Sequence, residues 1–173
     1  MSDAPGFFDF AGQKARNIER WSATGWDEVA SFIGPNPHHF EAAWANTRKK
    51  ILAGRGGMAV GFCWPAFPFA FAWFLYRRMW LMGAVLLIVP VALALLISSP
   101  GGSIGISVAM AMFAKSLYAQ HVVARIADVR AAGGDAGAVA EAGGISVLGG
   151  AIGALIIALG AAAFVYAILD RSP

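Results

Sequence analysis

The sequence predicts an all-α membrane protein: three transmembrane helices, an aromatic segment that is re-entrant or interfacial, and an amphipathic N-terminal region. Three observations carry this expectation. Apolar residues make up 58% of the 173 residues against 13% charged, where a typical soluble domain carries roughly 25% charged. The apolar residues gather after Met58 in stretches of membrane length. The Lys and Arg residues collect in groups near the ends of those stretches, where topology is decided. The length allows one compact unit and requires no second domain.

Residues 1–57 hold seven Lys/Arg and six Asp/Glu and offer no apolar core followed by a small-residue cleavage site, so a cleaved secretory signal is not expected. They read as a cytoplasmic, amphipathic helical region. From Trp26 the residues Trp26, Val29, Phe32 and Ile33 recur at helical spacing, and Gly34-Pro35-Asn36-Pro37 then breaks the chain in a turn. A second short helix follows with Phe40, Ala43, Trp44, Thr47 and Ile51 on one face. Arg48, Lys49 and Lys50 crowd its end, where cations suit the helix dipole and an anionic headgroup surface. Arg55-Gly56-Gly57 reads as a hinge.

Residues 58–173 form the predicted membrane domain. Met58 to Tyr76 is apolar and aromatic but contains Pro65 and Pro68, which oppose a continuous helix. Met79 to Ile97 holds 19 residues without a charge, enough at ~1.5 Å per residue to match a hydrocarbon core of ~30 Å. Pro90 should kink that helix. Ser98 to Gly102 is an uncharged turn, and 103–118 is the second span, continuing as a polar helix to the break at Gly133-Gly134. A polar loop with Asp135 and Glu141 leads to the third span, 145–169.

The bases fix the expected orientation. Groups at Arg48 to Arg55, at Arg77-Arg78 and at Lys115 to Arg130 all belong on the cytoplasmic side by the positive-inside rule. Three spans satisfy this only if 58–76 enters and leaves on that side. The cost is exposed backbone at its break, so the break must be buried in protein or sit at the headgroup level. The alternative is a four-span arrangement that places one arginine group outside.

Four constellations bear on function. His38, His39 and Glu41 begin a helix, but a metal site needs a further ligand and His121 is the only other histidine; a solvated helix start is expected, and no metal. Lys115, Tyr118 and His121 would mark a polar path along the third hydrophobic segment, yet Lys115 lies close enough to the expected exit to reach the headgroups. Gly149, Gly153 and Gly160 lie on one side of the last helix and form a packing seam for a neighbour in the same chain, a second copy or another protein. Trp64, Pro65, Phe67, Trp73, Arg77, Arg78 and Trp80 form an aromatic and basic interaction surface suited to the membrane interface. Cys63, the single cysteine, has no base within four residues and reads as a small packing residue. The bases are not interleaved with aromatics along a groove, so no nucleic-acid partner is expected.

These residues carry a resemblance. Phe32-Ile33-Gly34-Pro35-Asn36 with Trp44, the run Phe62-Cys63-Trp64-Pro65-Ala66-Phe67, and above all Trp73-Phe74-Leu75-Tyr76-Arg77-Arg78-Met79-Trp80 resemble the bacterial family called domain of unknown function 2628, small inner-membrane proteins. Leu117-Tyr118 and Gly143-Gly144-Ile145-Ser146 extend the likeness, which covers about Trp26 to Ser146. His38-His39, Cys63 and Ala114-Lys115 depart from the family pattern. The resemblance implies an inner-membrane location and a helical fold, and it brings no catalytic residues.

The expectation is therefore a non-enzymatic, multi-pass protein of the bacterial inner membrane with a cytoplasmic N-terminus and no cofactor. Its expected partners are membrane lipids and other membrane protein subunits or itself, which makes it an accessory or scaffold subunit. The alternative is a small transporter or channel component using the polar path.

Overall fold

A computed structural model describes residues 10–55, 57–96 and 102–170. Ile97, most of the expected turn at 98–102, Gly56 of the hinge and Arg171 lie outside these. The described residues are helical with connecting turns and no strand: α1 Phe10–Ala23, α2 Trp26–Ile33, α3 His38–Leu52, α4 Ala66–Tyr76, α5 Trp80–Leu96, α6 Gly102–Ala131, α7 Ala136–Ala142 and α8 Val147–Leu169. The chain divides into two compact units, one from Met1–Gly61 with Lys115–Gly144, the other from Phe62–Ala114 with Ile145–Pro173. A single cut after residue 57 does not describe this division, because the second half of α6 returns to the first unit.

In the first unit the helical spacing is realised as burial. Val29, Phe32 and Ile33 of α2, Phe40, Thr47 and Ile51 of α3, and Tyr118, Val122 and Ile126 of α6 are all buried. The breaker Gly34-Pro35-Asn36-Pro37 works through backbone freedom: Gly34 has φ 75° and Asn36 φ 57°, both left-handed. α3 ends in a Schellman turn around Gly54, φ 69°, where Arg55 N–H donates to Lys50 O at 3.0 Å and Gly54 N–H to Ile51 O at 2.9 Å. α1, which no apolar spacing in the sequence marks, is held near its end by Arg48 Nε donating to Trp21 O at 3.1 Å. The expected polar loop after Gly133-Gly134 is instead a short helix, α7, because Asp135 caps it by accepting from Ala138 N–H at 2.9 Å. Its Val139 is buried, and Gly144 N–H donates to Phe32 O at 2.6 Å, which seats the α7 end against α2.

In the second unit α4 packs against both α5 and α8. Another Schellman turn joins α4 to α5: Met79 N–H donates to Phe74 O at 2.9 Å and Arg78 N–H to Leu75 O at 3.1 Å, with Arg78 at φ 60° where glycine is usual. α4 has 11 residues and an interruption at Phe69, φ −137° and ψ 55°; at ~1.5 Å per residue it extends about 16 Å, half of a hydrocarbon core. α5 continues through Pro90 and is apolar over all of its 17 residues. Among the described residues, one helix is long and apolar enough to cross a membrane, within Ala136–Leu169, and hardly any of it is buried. Three helices that are each long and apolar enough to span do not appear among the described residues: α6, at 30 residues, is longer than α8, at 23, but only the stretch that contains α8 meets both conditions.

Candidate functional site

The aromatic segment enters without helix. Residues 57–63 are non-helical, Trp64-Pro65 turns the chain, and α4 begins at Ala66. Irregular backbone has N–H and C=O groups that need partners, and in a water-poor setting each unpaired group costs several kcal/mol. In the first unit those partners come from α3 and α6. Ala59 N–H donates to Ser116 Oγ at 3.1 Å, and Gly57 O accepts from Gln120 Nε2 at 3.2 Å and Ser116 Oγ at 3.4 Å. Lys50 Nζ donates to Met58 O at 2.7 Å. Ser116 Oγ also lies 3.0 Å from Thr47 Oγ1 in the core. With its single proton given to Gly57 O, Ser116 accepts from both Ala59 N–H and Thr47, which uses its full hydroxyl capacity. In the second unit Cys63 is buried and its N–H donates to Ala111 O of α6 at 2.9 Å.

The small-residue seam has an intrachain neighbour over part of its length. Gly149 and Gly153 are buried on α8, and a Cβ at Gly149 would collide with the Leu75 carbonyl oxygen. A Cβ at Gly153 would stand 2.6 Å from Ala72 Cβ, so α4 and α8 approach at backbone distance. Ser146 caps α8 by accepting from Gly149 N–H at 2.9 Å, and its own N–H donates to Tyr76 O at 2.8 Å. Gly160, in the same register, has nothing within 4 Å of a built Cβ.

The aromatic residues separate into exposed and packed ones. Trp64 is 75% exposed with Phe62 edge-on at 4.8 Å, and Trp80 is 44% exposed. Pro65 and Arg78 are exposed and Phe67 is half-buried. Trp73, by contrast, is buried with its ring edge-on to Phe74, so it belongs to the packing of the second unit and not to a free surface. Arg77 is half-buried with its guanidinium carbon 5.7 Å from the Tyr76 ring centroid.

The polar residues of α6 do not share one surrounding. Tyr118 is fully buried, with its ring 5.1 Å from Phe40, and is part of the first unit's core. Lys115 is half-buried. His121, also half-buried, titrates below its ordinary 6.5, first because burial disfavours the cation and then because Arg125 is near, with Asp128 opposing. His38 and His39 are exposed with rings 4.1 Å apart. No three His, Cys, Asp or Glu side chains among the described residues converge to hold a metal.

A family model described as protein of unknown function (DUF2628) matches residues 41–132. The chain belongs to the DUF2628 family. The match begins in α3 and ends just past α6, so it takes in the hydroxyl cluster, the aromatic segment and the Arg77-Arg78 turn of this DUF2628 protein. The residues from Trp26 to Phe40 and from Gly133 to Ser146, also read as family-like, lie outside the matched range. No curated protein and no solved structure matches the chain. The helical spacing puts Thr47 on one face with Phe40 and Ile51, whereas the only signal in the sequence for Ser116 and Gln120 is their i, i+4 spacing on α6.

Proposed function

We propose that this DUF2628 protein is a non-enzymatic accessory or scaffold subunit of a bacterial inner-membrane complex. It crosses the membrane three times, through 79–97, 103–118 and 145–169, and its aromatic segment 58–76 is re-entrant or interfacial on the cytoplasmic side. The observation that carries the reading is the mismatch between α4 and α8. α8 has 23 residues, about 34 Å at ~1.5 Å per residue, whereas α4 covers only its first two turns through Gly149 and Gly153. Beyond them Leu155, Leu159, Phe164, Val165 and Leu169 are all more than half exposed, and Gly160 continues the close-approach side without a described neighbour. An exposed apolar surface of this extent marks a membrane or protein contact, and the open small residue favours a helix from another chain over lipid alone.

The test is in-cell photo-crosslinking from position 161, beside Gly160, in the full-length tagged chain. A defined band, either a second copy or a stoichiometric partner, that disappears in Gly160→Leu supports the proposal. Crosslinking to lipid alone, together with purification as a lone monomer, removes it. The transporter alternative is weakened by Tyr118, whose burial against Phe40 leaves it no open side. Flux in proteoliposomes that Lys115→Ala abolishes would restore it.

A further inference from the structure

A cleft in the first unit lies between α1 and the end of α3. Its volume is about 680 Å³, inside the ~300–1,000 Å³ range of small-ligand sites. Lys14, Arg16, Arg20 and Arg55 line it, with the amide side chains of Gln13 and Asn17. No carboxylate among the described residues lines it, although Glu19 lies on the same helix. Lys14, Arg20 and Arg55 take part in none of the ion pairs among the described residues, where Arg125 pairs with Asp128 and Arg130 with Glu28. Solvated bases on a helix ordinarily point apart; here three bases of α1 and Arg55 line one concave space. The arrangement has a structural cause: Arg48 ties α1 to α3 at Trp21, and the left-handed Gly54 lets the chain turn at the end of α3, so that Arg55 lines the same cleft as α1. Lys14 Nζ lies 3.3 Å from where a Cβ on Gly54 would stand, so the turn also leaves room for the ammonium group.

We infer that this cleft binds a phosphate-bearing anion. Guanidinium groups meet phosphate oxygens in paired, charge-assisted hydrogen bonds, the ammonium adds a compact charge, and the amides supply neutral donors. Phe10, 71% exposed at the rim, and Ile18 and Ile51 in the wall add apolar contact that a phosphate ester would use and a bare inorganic ion would not. The same chemistry is offered by a phospholipid headgroup and by a soluble phosphomonoester. The inference rests on the first unit alone and does not depend on the accessory-subunit reading.

The experiment titrates the full chain, in an uncharged detergent, with glycerol 3-phosphate, and separately in phosphatidylcholine nanodiscs with added phosphatidylglycerol. Saturable binding is expected in at least one arm: the first alone identifies a soluble ester, the second alone a lipid headgroup. In the arm that binds, Lys14→Gln and Arg20→Gln should each weaken affinity about tenfold, the loss of one charge-assisted contact, while Arg125→Gln, with the same charge change outside the cleft, should shift it less than about twofold. A variant-free measurement accompanies these: bound ligand should slow acylation of Lys14 and leave Lys49 unchanged. No saturable binding in either arm, equal loss on Arg125→Gln, or unprotected Lys14 at saturation would overturn the inference.

Discussion

Ser116 makes more of the first unit's irregular backbone possible than any other side chain described. Its hydroxyl meets Ala59 N–H, Gly57 O and Thr47 Oγ1 together. Ser116→Ala leaves the Ala59 N–H and one lone pair of Gly57 O without that partner, and should cost about 2 kcal/mol, within the range for a buried group left unsatisfied. Thr47→Val removes only the hydroxyl pair and should cost about 1 kcal/mol. Denaturant unfolding of both variants in the same detergent checks the order, and a larger loss for Thr47→Val would contradict it. His121 gives a pH dependence of known sign. Its folded form titrates below 6.5, so the unfolded chain takes up the proton first as pH falls. Its contribution to stability is complete above that ordinary value and declines below it, down to the folded value. The unfolding midpoint should therefore drop between pH 7.5 and 5 more steeply in the wild type than in His121→Gln; identical slopes would contradict the assignment. The hydroxyl pair was hidden in the sequence for a physical reason: residues 69 apart along the chain have no shared local pattern.

At the scale of elements, the readable features were those that local physics writes into spacing. α2 and α3 follow from apolar residues at helical intervals and from a Gly-Pro-Asn-Pro break. The boundary of α8 follows from a charge-free run, and its seam from glycines four apart. α1 and α7 were not readable as elements because each buries a single side chain, Trp21 and Val139, so neither has an apolar stripe to detect. The partner of the seam was open in the sequence, and packing answers it over two turns: Gly149 and Gly153 meet α4, Gly160 does not. A matched substitution series follows. Gly153→Ala should destabilise by about 1–3 kcal/mol, since overpacking must move Ala72 or separate the helices. Gly160→Ala should be neutral to stabilising by up to about 1 kcal/mol in the isolated chain, through helix propensity. Unfolding midpoints of the two variants read this directly, and equal effects would show that the α4–α8 approach is looser than described.

For the whole molecule, the central proposal is that the aromatic segment does not cross the bilayer. α4 has only 11 residues, and Arg78 closes it with a tight turn into α5, which supports that proposal. Under the proposed topology, positive charge on both flanks belongs on one side, as the positive-inside rule requires. In the first unit the irregular backbone at Gly57, Met58 and Ala59 finds partners in Ser116, Gln120 and Lys50. The most direct test is accessibility labelling of single cysteines at Ala53, Arg78, Ser99 and Ala132 in a Cys63→Ala background in intact cells. Labelling of Ala53, Arg78 and Ala132 only after the inner membrane is opened, with Ser99 labelled from outside, is the predicted result. Ala53 and Arg78 on opposite sides of the membrane would contradict it.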